Sequence, residues 1–297
     1  MPELPDVELY LSALRARIVG RELTGIRLAS PFVLRSVDPP VDEVVGRRVE
    51  GLRRLGKRIV SSLEDDYHVV IHLMIAGRFR WDDAPGAKIP GRVGLAAFDF
   101  DAGTLILTEA SKKKRASLHL VRGAESLADH DRGGVEPLET DLEAFAAAIT
   151  RERHTLKRAL TDQRILSGIG NAYSDEILHR AQLSPFKRSD QLDDDETARL
   201  FDATRAVLRE WTERLAREAG DDFPTKVTAF RDGMAVHGKY KQPCPVCGGK
   251  VMRIRYASNE ANYCPTCQTE GKLLADRSLS RLLKKSWPKT LEELEGR

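Results

Sequence analysis

The sequence predicts an α+β protein: an N-terminal helix and an antiparallel β-sandwich, then a helical segment, then a short cysteine-bearing ribbon. Three observations carry that reading. Apolar residues follow helical spacing up to Ile18, short strand-like runs up to about residue 122, and helical spacing again from Leu142 to about Gly220. The strand-like runs are punctuated by Gly, Asp and Pro, as antiparallel strands of a sandwich require. All four cysteines of the 297-residue chain lie between positions 244 and 267.

In chain order, Val7, Tyr10, Leu11, Leu14 and Ile18 form one helix face closed by Gly20. The start, MPELPDVE, places Pro and acids where a helix N-terminus favours them. It lacks the basic, apolar or Arg/Ser-rich character of a targeting segment. The strand candidates are ELTGIRLAS, RRVEGLRRLGKRIVSSL, YHVVIHLMIAGRFRW, VGLAAFDF, GTLILTEA and ASLHLVRG. Residues 128–141, ADHDRGGVEPLETD, have neither period nor apolar run and read as a linker. Asp141 is a candidate cap for LEAFAAAIT, and a long helix then aligns Leu200, Phe201, Thr204, Val207, Leu208, Trp211 and Leu215. The expected organisation is a first domain over 1–127, the linker, a helical domain over 142–230, a ribbon over 231–267 and a tail over 268–297. RSLSRLLKKSW in that tail is either an amphipathic docking helix or plain surface.

Composition bounds the function. Apolar residues make up 41% and charged residues 31%, and the net charge is +3. No run approaches the ~18 apolar residues of a membrane helix, so a protein of the cytoplasm, without a membrane partner, is expected. The basic residues bunch in RRLGKR (53–58), SKKKR (111–115), GKYK (238–241) and RLLKKSWPK (281–289), each of which is either solvated surface or a nucleic-acid contact.

The cysteines read Cys-x2-Cys, sixteen residues, Cys-x2-Cys. In a reducing compartment disulfides are rare, and two such knuckles can turn four thiolates onto one tetrahedral zinc ion. Cys244, Cys247, Cys264 and Cys267 are therefore expected to hold one structural Zn(2+), with no open position for catalysis. Gly248, Gly249, Pro245 and Pro265 suit the tight knuckle turns. A second glycine-rich stretch, QRILSGIGNAYSDEIL, puts Gly168 and Gly170 before a helix opening at Asn171. It is either a phosphate seat at a helix N-terminus or a tight corner with Asn171 as N-cap.

MPELPDVE, GKRIVSSL with Lys57, VVIHLMIAG with His72, the glycine-rich turn and MAVHGKYKQPCPVC…YCPTC occur in that order. Together they resemble the formamidopyrimidine-DNA glycosylase and endonuclease VIII family of base-excision repair enzymes, over residues 1 to about 267. The resemblance implies that the helical domain is a helix–two-turns–helix domain, that the ribbon binds zinc, and that the partner is damaged DNA, double-stranded and possibly single-stranded. It implies a monomeric, bacterial, nucleoid-associated enzyme with two activities, base excision and abasic-site cleavage by β,δ-elimination. Methionine is ordinarily trimmed before proline, which would leave Pro2 as a secondary amine. In the family this amine attacks C1′ of the damaged nucleotide, and Glu3 matches the general acid. Lys57, placed with the catalytic set, and His72 match positions that hold phosphates beside the lesion. Asn171 matches the turn residue on backbone phosphate. Lys239 and Asn259 are further DNA-contact candidates.

The chain also departs from the family. Asp6 stands where Glu is usual. TEASKKKRASL (108–118) replaces an Asp-Pro-Arg-Arg-Phe motif whose aromatic fills the gap left by a flipped base. Ile75 replaces a void-filling Met, and Asn259 replaces a phosphate-gripping Arg whose charged fork it cannot reproduce. The stretch 219–238 is short where purine-specific members carry a lesion-closing loop. These changes imply weak action on 8-oxoguanine and a preference for ring-opened or bulky lesions, oxidised pyrimidines, abasic sites or single-stranded contexts. Lys112, Lys113 and Lys114 are then expected to grip the opposite strand. The competing reading is a damaged-DNA or junction-binding protein that kept the scaffold without turnover; a zinc-ribbon interaction module would explain the cysteines alone.

Overall fold

The structure is a computed structural model and describes residues 1–256, 259–275, 281–282 and 288–295. It divides into two compact units, Met1–Arg132 with Glu210–Ala229, and Gly133–Arg209 with Phe230–Arg297. Among the described residues no helix is long and apolar enough to cross a membrane.

The first unit opens with helix α1, Leu4–Ile18. Its Leu4, Val7, Tyr10, Leu11, Leu14 and Ile18 are all essentially inaccessible, so the helix is held by its apolar stripe and not by propensity alone. The sandwich follows: β1 Gly25–Leu28, short helix α2 Val41–Val44, β2 Val49–Leu55, β3 Arg58–Leu63, β4 Tyr67–His72, β5 Gly77–Asp82, β6 Gly94–Phe100, β7 Gly103–Glu109 and β8 Ser117–Arg122. They form two four-stranded antiparallel sheets, ordered β1-β6-β7-β5 and β2-β3-β4-β8. Successive side chains of a strand point to opposite faces. In the second sheet Ile59, Val69, Ile71, Leu118 and Leu120 therefore share one face and are buried. Leu55, Val60, Val70 and Val121 share the other and pack with Leu127 of α3, Gly123–Ala128. Phe223, in the returning stretch of this unit, lies against Tyr10 and Trp81 at ring separations of 6.0 and 6.5 Å.

The second unit contains α4 Leu142–Thr150, α5 Leu156–Thr161, α6 Asn171–Arg180 and the first part of α7, Asp194–Ala219. Asp141 caps α4, its carboxylate accepting from Ala144 N at 2.8 Å, as its place before the apolar run predicts. The corner between α5 and α6 is stapled by Gln163. Its amide donates to the carbonyls of Thr161 and Ile169 and accepts from Gly168 N at 2.9 Å. Gly168 stands at φ +80°, which a residue with a Cβ rarely adopts. The N-cap of α6 is Gly170, and Asn171 is the first helical residue. The alternative with Asn171 as cap is therefore corrected: the extended backbone of Gly170 occupies that place.

The ribbon consists of β9 Met252–Tyr256 paired antiparallel with β10 Asn259–Tyr263, followed by α8, Pro265–Thr269. Most of RSLSRLLKKSW lies outside the described residues, as does the side chain of Asn259.

Candidate functional site

Two sets of residues carry chemistry, one in each unit. The first gathers around the amino terminus. Pro2 and Glu3 are buried, Glu3 at 2% exposure. Glu3 is the N-cap of α1 and shares a capping box with Asp6: Glu3 N donates to Asp6 Oδ2 at 3.0 Å, and the Glu3 side chain answers the Asp6 N–H. The acid that departs from the family pattern is therefore a structural clasp that fixes Glu3. Asp6→Ala is expected to cost about 1 kcal/mol, a fall of roughly 2–4 °C in the unfolding midpoint, with Asp6→Asn falling less. Equal melting of Asp6→Ala and the parent would mean that Asp6 does not clasp the helix start.

The amine that begins the chain, on Met1, is held below its ordinary value of 8.0. Burial is the main cause, Arg78 and Lys57 add to it, and Glu3 and Asp6 oppose it. The positive end of α1 acts in the same direction as burial. Lys57, 6% exposed, follows Gly56 in the two-residue turn of the β2–β3 hairpin, where φ of +61° suits glycine. Arg78 braces the β4–β5 turn by donating to the carbonyls of Ile75 and Gly77. Gly77 closes that turn, its N–H reaching Leu73 O at 2.8 Å, and a Cβ there would lie 2.2 Å from the same oxygen. The turn presents Ile75 at 60% exposure. His72 ends β4, half-buried, with its pKa lowered to about 4 by burial first and then by Arg58, Lys57, His119 and Arg132.

The SKKKR loop is closed from beneath. The Glu109 carboxylate, 1% exposed, accepts from Arg115 N and Ala116 N at 2.7 and 2.9 Å, while Lys114 Nζ turns back onto Glu109 O. Lys112 and Lys113 are exposed and Lys114 is half-buried. Two of the three lysines are thus presented to solvent, and the third ties the loop.

The second set lies in the other unit. Asn171 Nδ2 donates to Glu260 O at 2.8 Å, which anchors the α6 N-terminus to β10. Behind it runs a buried chain. Lys157 Nζ bonds Asn171 O and Asp175 Oδ1, and Asp175 Oδ2 lies 2.7 Å from His237 Nδ1. Glu176 accepts from Ala235, Val236 and His237 N, and burial raises its pKa against those bonds. Together they fix the backbone leading to Lys239, itself half-buried in the turn before the ribbon.

The four cysteine sulfurs lie within 4.8 Å of one another, with Cys244 to Cys267 at 3.9 Å and Cys247 to Cys264 at 3.4 Å. A tetrahedron of thiolates at about 2.3 Å from zinc has edges of about 3.8 Å, so the donor set has the size and chemistry that ion takes. Cys244 N donates to Gly249 O, Gly248 turns at φ +73°, and Gln268 Oε1 accepts from Cys264 N. His179 Nε2 lies 3.2 Å from Cys244 Sγ, an outer contact that orients a ligand.

The chain with this helix-capped sandwich, glycine-cornered helical domain and four-thiolate ribbon is similar to known proteins over nine-tenths of its length. Residues 1–117 match the formamidopyrimidine-DNA glycosylase N-terminal domain, 134–219 its H2TH domain, and 241–269 the zinc finger found in FPG and IleRS. The formamidopyrimidine-DNA glycosylase of Heliobacterium modesticaldum is 33% identical over 277 residues, 90% of this chain and 100% of that protein. A structure of MutM with DNA containing carbocyclic 8-oxo-G superposes with a TM-score of 0.77 at 26% identity, covering 90% of this chain and 100% of MutM. Lactococcus lactis Fpg with abasic-site DNA gives 0.76 at 26% identity, with 90% and 99% covered. The chain belongs to the formamidopyrimidine-DNA glycosylase family, and its ribbon is a zinc finger for one structural zinc ion.

Proposed function

We propose that this chain is a bifunctional DNA glycosylase and abasic-site lyase that acts, as a monomer of the bacterial nucleoid, on damaged DNA, including single-stranded contexts. The observation that carries the reading is the buried Pro2–Glu3 pair at the head of α1, beside the Met1 amine that burial holds below its ordinary value. Removal of Met1 leaves the Pro2 nitrogen as a secondary amine with a lone pair. That nitrogen attacks C1′, the C1′–N bond to the base breaks, and the base departs with the electron pair and takes a proton. Glu3 donates a proton to the sugar ring oxygen as the ring opens, giving an iminium between Pro2 and C1′. Loss of a C2′ proton expels the 3′ phosphate; a second elimination expels the 5′ phosphate, and water then releases Pro2.

Lys57 and His72 are assigned the phosphates flanking the lesion, Asn171 and Lys239 the DNA backbone, and Asn259 a weakened form of the ribbon contact. The zinc takes no part in the steps, since four thiolates leave no open position. Extrusion of the target nucleotide costs a few kcal/mol and favours bases already weakly stacked. With Ile75 and a cationic loop in place of Met and an aromatic wedge, the preference falls on ring-opened or bulky lesions, oxidised pyrimidines and abasic sites, with weak action on 8-oxoguanine.

The test is borohydride trapping on abasic and lesion-bearing DNA, with intact mass confirming loss of Met1. A trimmed protein that gives no covalent species would leave only a DNA-holding scaffold. The loop makes a separate prediction. Neutralising Lys112 and Lys113 together is expected to flatten the log-affinity against log-salt slope by about 0.9 for each phosphate no longer neutralised. An unaltered slope would remove the loop from the DNA interface.

A further inference from the structure

Three connections cross from one sheet of the sandwich to the other at the same end. Residues 73–76 lead from His72, the last residue of β4, to Gly77, the first of β5. Residues 110–116 lead from Glu109, the last of β7, to Ser117, the first of β8. Register sets these strand ends side by side, Gly77 opposite Glu109 in one sheet and His72 opposite Ser117 in the other. Arg58 is also opposite His72, so the Gly56–Lys57 turn before it lies at this end too. The third crossing is the segment after β1. Ala29 and Ser30 N donate to Leu95 O at 2.9 and 3.2 Å, Arg35 N donates to Leu118 O at 2.8 Å, and Leu34 bridges Leu118 in parallel. Because that bridge is parallel, the residues before Leu34 run back toward the start of β8, beside the 110–116 loop.

Phe32 stands on this third crossing, 76% exposed. Its neighbours fix it there. Pro31 opens a single 3-10 turn, Pro31–Val33, which Val33 N closes onto Ser30 O at 3.1 Å, and the Val33 side chain is buried. Past the turn, Ser36 Oγ accepts from Leu120 N at 2.8 Å. A lone apolar side chain on a surface is ordinary; here a backbone braced to both sheets holds an aromatic ring outward. Strands lie about 4.8 Å apart, so Leu34 is about 10 Å from Ile71 of β4, across Leu118. Phe32 lies further toward the end where β4 passes into the turn that presents Ile75. A separation of that size spans about three base steps of a strand.

We propose that Phe32 is an apolar wedge that enters the base stack of damaged DNA within about three steps of the extruded nucleotide. The proposal rests on the DNA-binding reading above and adds a residue that reading did not use. An inserted phenyl ring partly unstacks a base step and lets the duplex bend there. Opening a step costs least where a lesion has already weakened stacking, so the wedge favours damaged over intact duplex. It carries no charge and adds nothing to the salt dependence of binding.

The test uses the full-length, zinc-loaded protein and two duplexes, one intact and one carrying a tetrahydrofuran abasic analogue. Affinity at several salt concentrations is compared for the parent, Phe32→Ala, Phe32→Trp and Val37→Ala, the last a second exposed apolar residue of the same segment, with thermal melting to confirm folding. A second arm moves 2-aminopurine through the positions around the analogue on both strands and reads unstacking as a rise in fluorescence. Phe32→Ala is expected to bind the analogue duplex about tenfold more weakly, as for one lost base–aromatic stack, with an unchanged salt slope and unchanged affinity for the intact duplex. Phe32→Trp should keep the parent affinity and Val37→Ala should match it. One 2-aminopurine position should brighten with the parent and not with Phe32→Ala.

Parent-like binding by Phe32→Ala, with every 2-aminopurine position alike in the two proteins, would overturn the wedge. An equal loss on both duplexes would also overturn it, by making Phe32 a general DNA contact. Parent-like binding with a loss of self-association would make it a contact between copies of the chain instead. Borohydride trapping by the parent separates the wedge from the chemistry. Trapping with no effect of Phe32→Ala sinks only the wedge, whereas a wedge effect without trapping sinks the chemistry and leaves the wedge standing. A parent that binds neither duplex removes both.

Discussion

Pro2→Gly is expected to lower base excision at least about a hundredfold while leaving the protein folded and able to bind DNA. The substitution keeps a trimmed amino terminus and a primary amine, so it does not remove a nucleophile outright. It removes the ring that fixes the nitrogen relative to Glu3, and misplacement by about an ångström costs about that factor. Pro2 is buried one residue before Glu3, the N-cap of α1, and Glu3 N is held by Asp6, so the loss should fall on kcat and not on KM. Cleavage of an abasic site already formed, where the aldehyde is freely accessible, should suffer less than excision of an intact lesion. Initial rates on a base lesion and on an abasic duplex, measured side by side, check this; equal rates for parent and variant on the base lesion would mean that the nucleophile lies elsewhere.

Zinc removal has the larger effect on stability. Four thiolates around one ion contribute roughly 10–16 kcal/mol of apparent binding energy, comparable with the whole margin of about 5–15 kcal/mol that holds a domain folded. Among the described residues the cluster around the ligands is Val236, Cys244, Val251 and Cys264 with Cys267 beside them, so the ligands form part of the ribbon's own core. Cys264→Ser, or a chelator strong enough to strip the ion, should release one zinc per chain and abolish amide protection over residues 241–273. Asn171 should lose its bond to Glu260 O as β10 loosens, so DNA affinity should fall with it. The sandwich core, built from strands of the other unit, should keep its exchange protection. A metal-free protein with a protected ribbon would contradict a structural zinc.

The architecture was legible because its signals are local. The alternation in YHVVIHLMIAGRFRW, the helical stripe from Val7 to Ile18 and the paired Cys-x2-Cys knuckles each specify their element within a few residues. The parts that escaped depend on contacts across long sequence separations. Arg78 lowers the terminal amine although it stands in a strand remote from it in sequence. Glu109 supports the cationic loop by accepting two backbone N–H groups across it, which the bare string TEASKKKRASL does not reveal. Asn171 offered a cap by residue type, yet Gly170 took the position and the Asn amide reached a carbonyl of β10. The Lys157–Asp175–His237 chain joins α5, α6 and the segment before the ribbon, and nothing in the local sequence announces that these three residues meet. His119 lies in the strand candidate ASLHLVRG and His130 in the linker 128–141, and only strand register brings one near His72 and ring contact brings in the other.

The central claim is that the imino nitrogen of Pro2 is the atom that bonds to C1′. Its most direct test is to trap the trimmed protein on abasic DNA with borohydride, digest the adduct, and locate the modified residue by mass spectrometry. A reduced sugar adduct is expected on the N-terminal peptide, at Pro2 and nowhere else. An adduct at the Lys57 amine, or at any other lysine, with an unmodified Pro2 would contradict it.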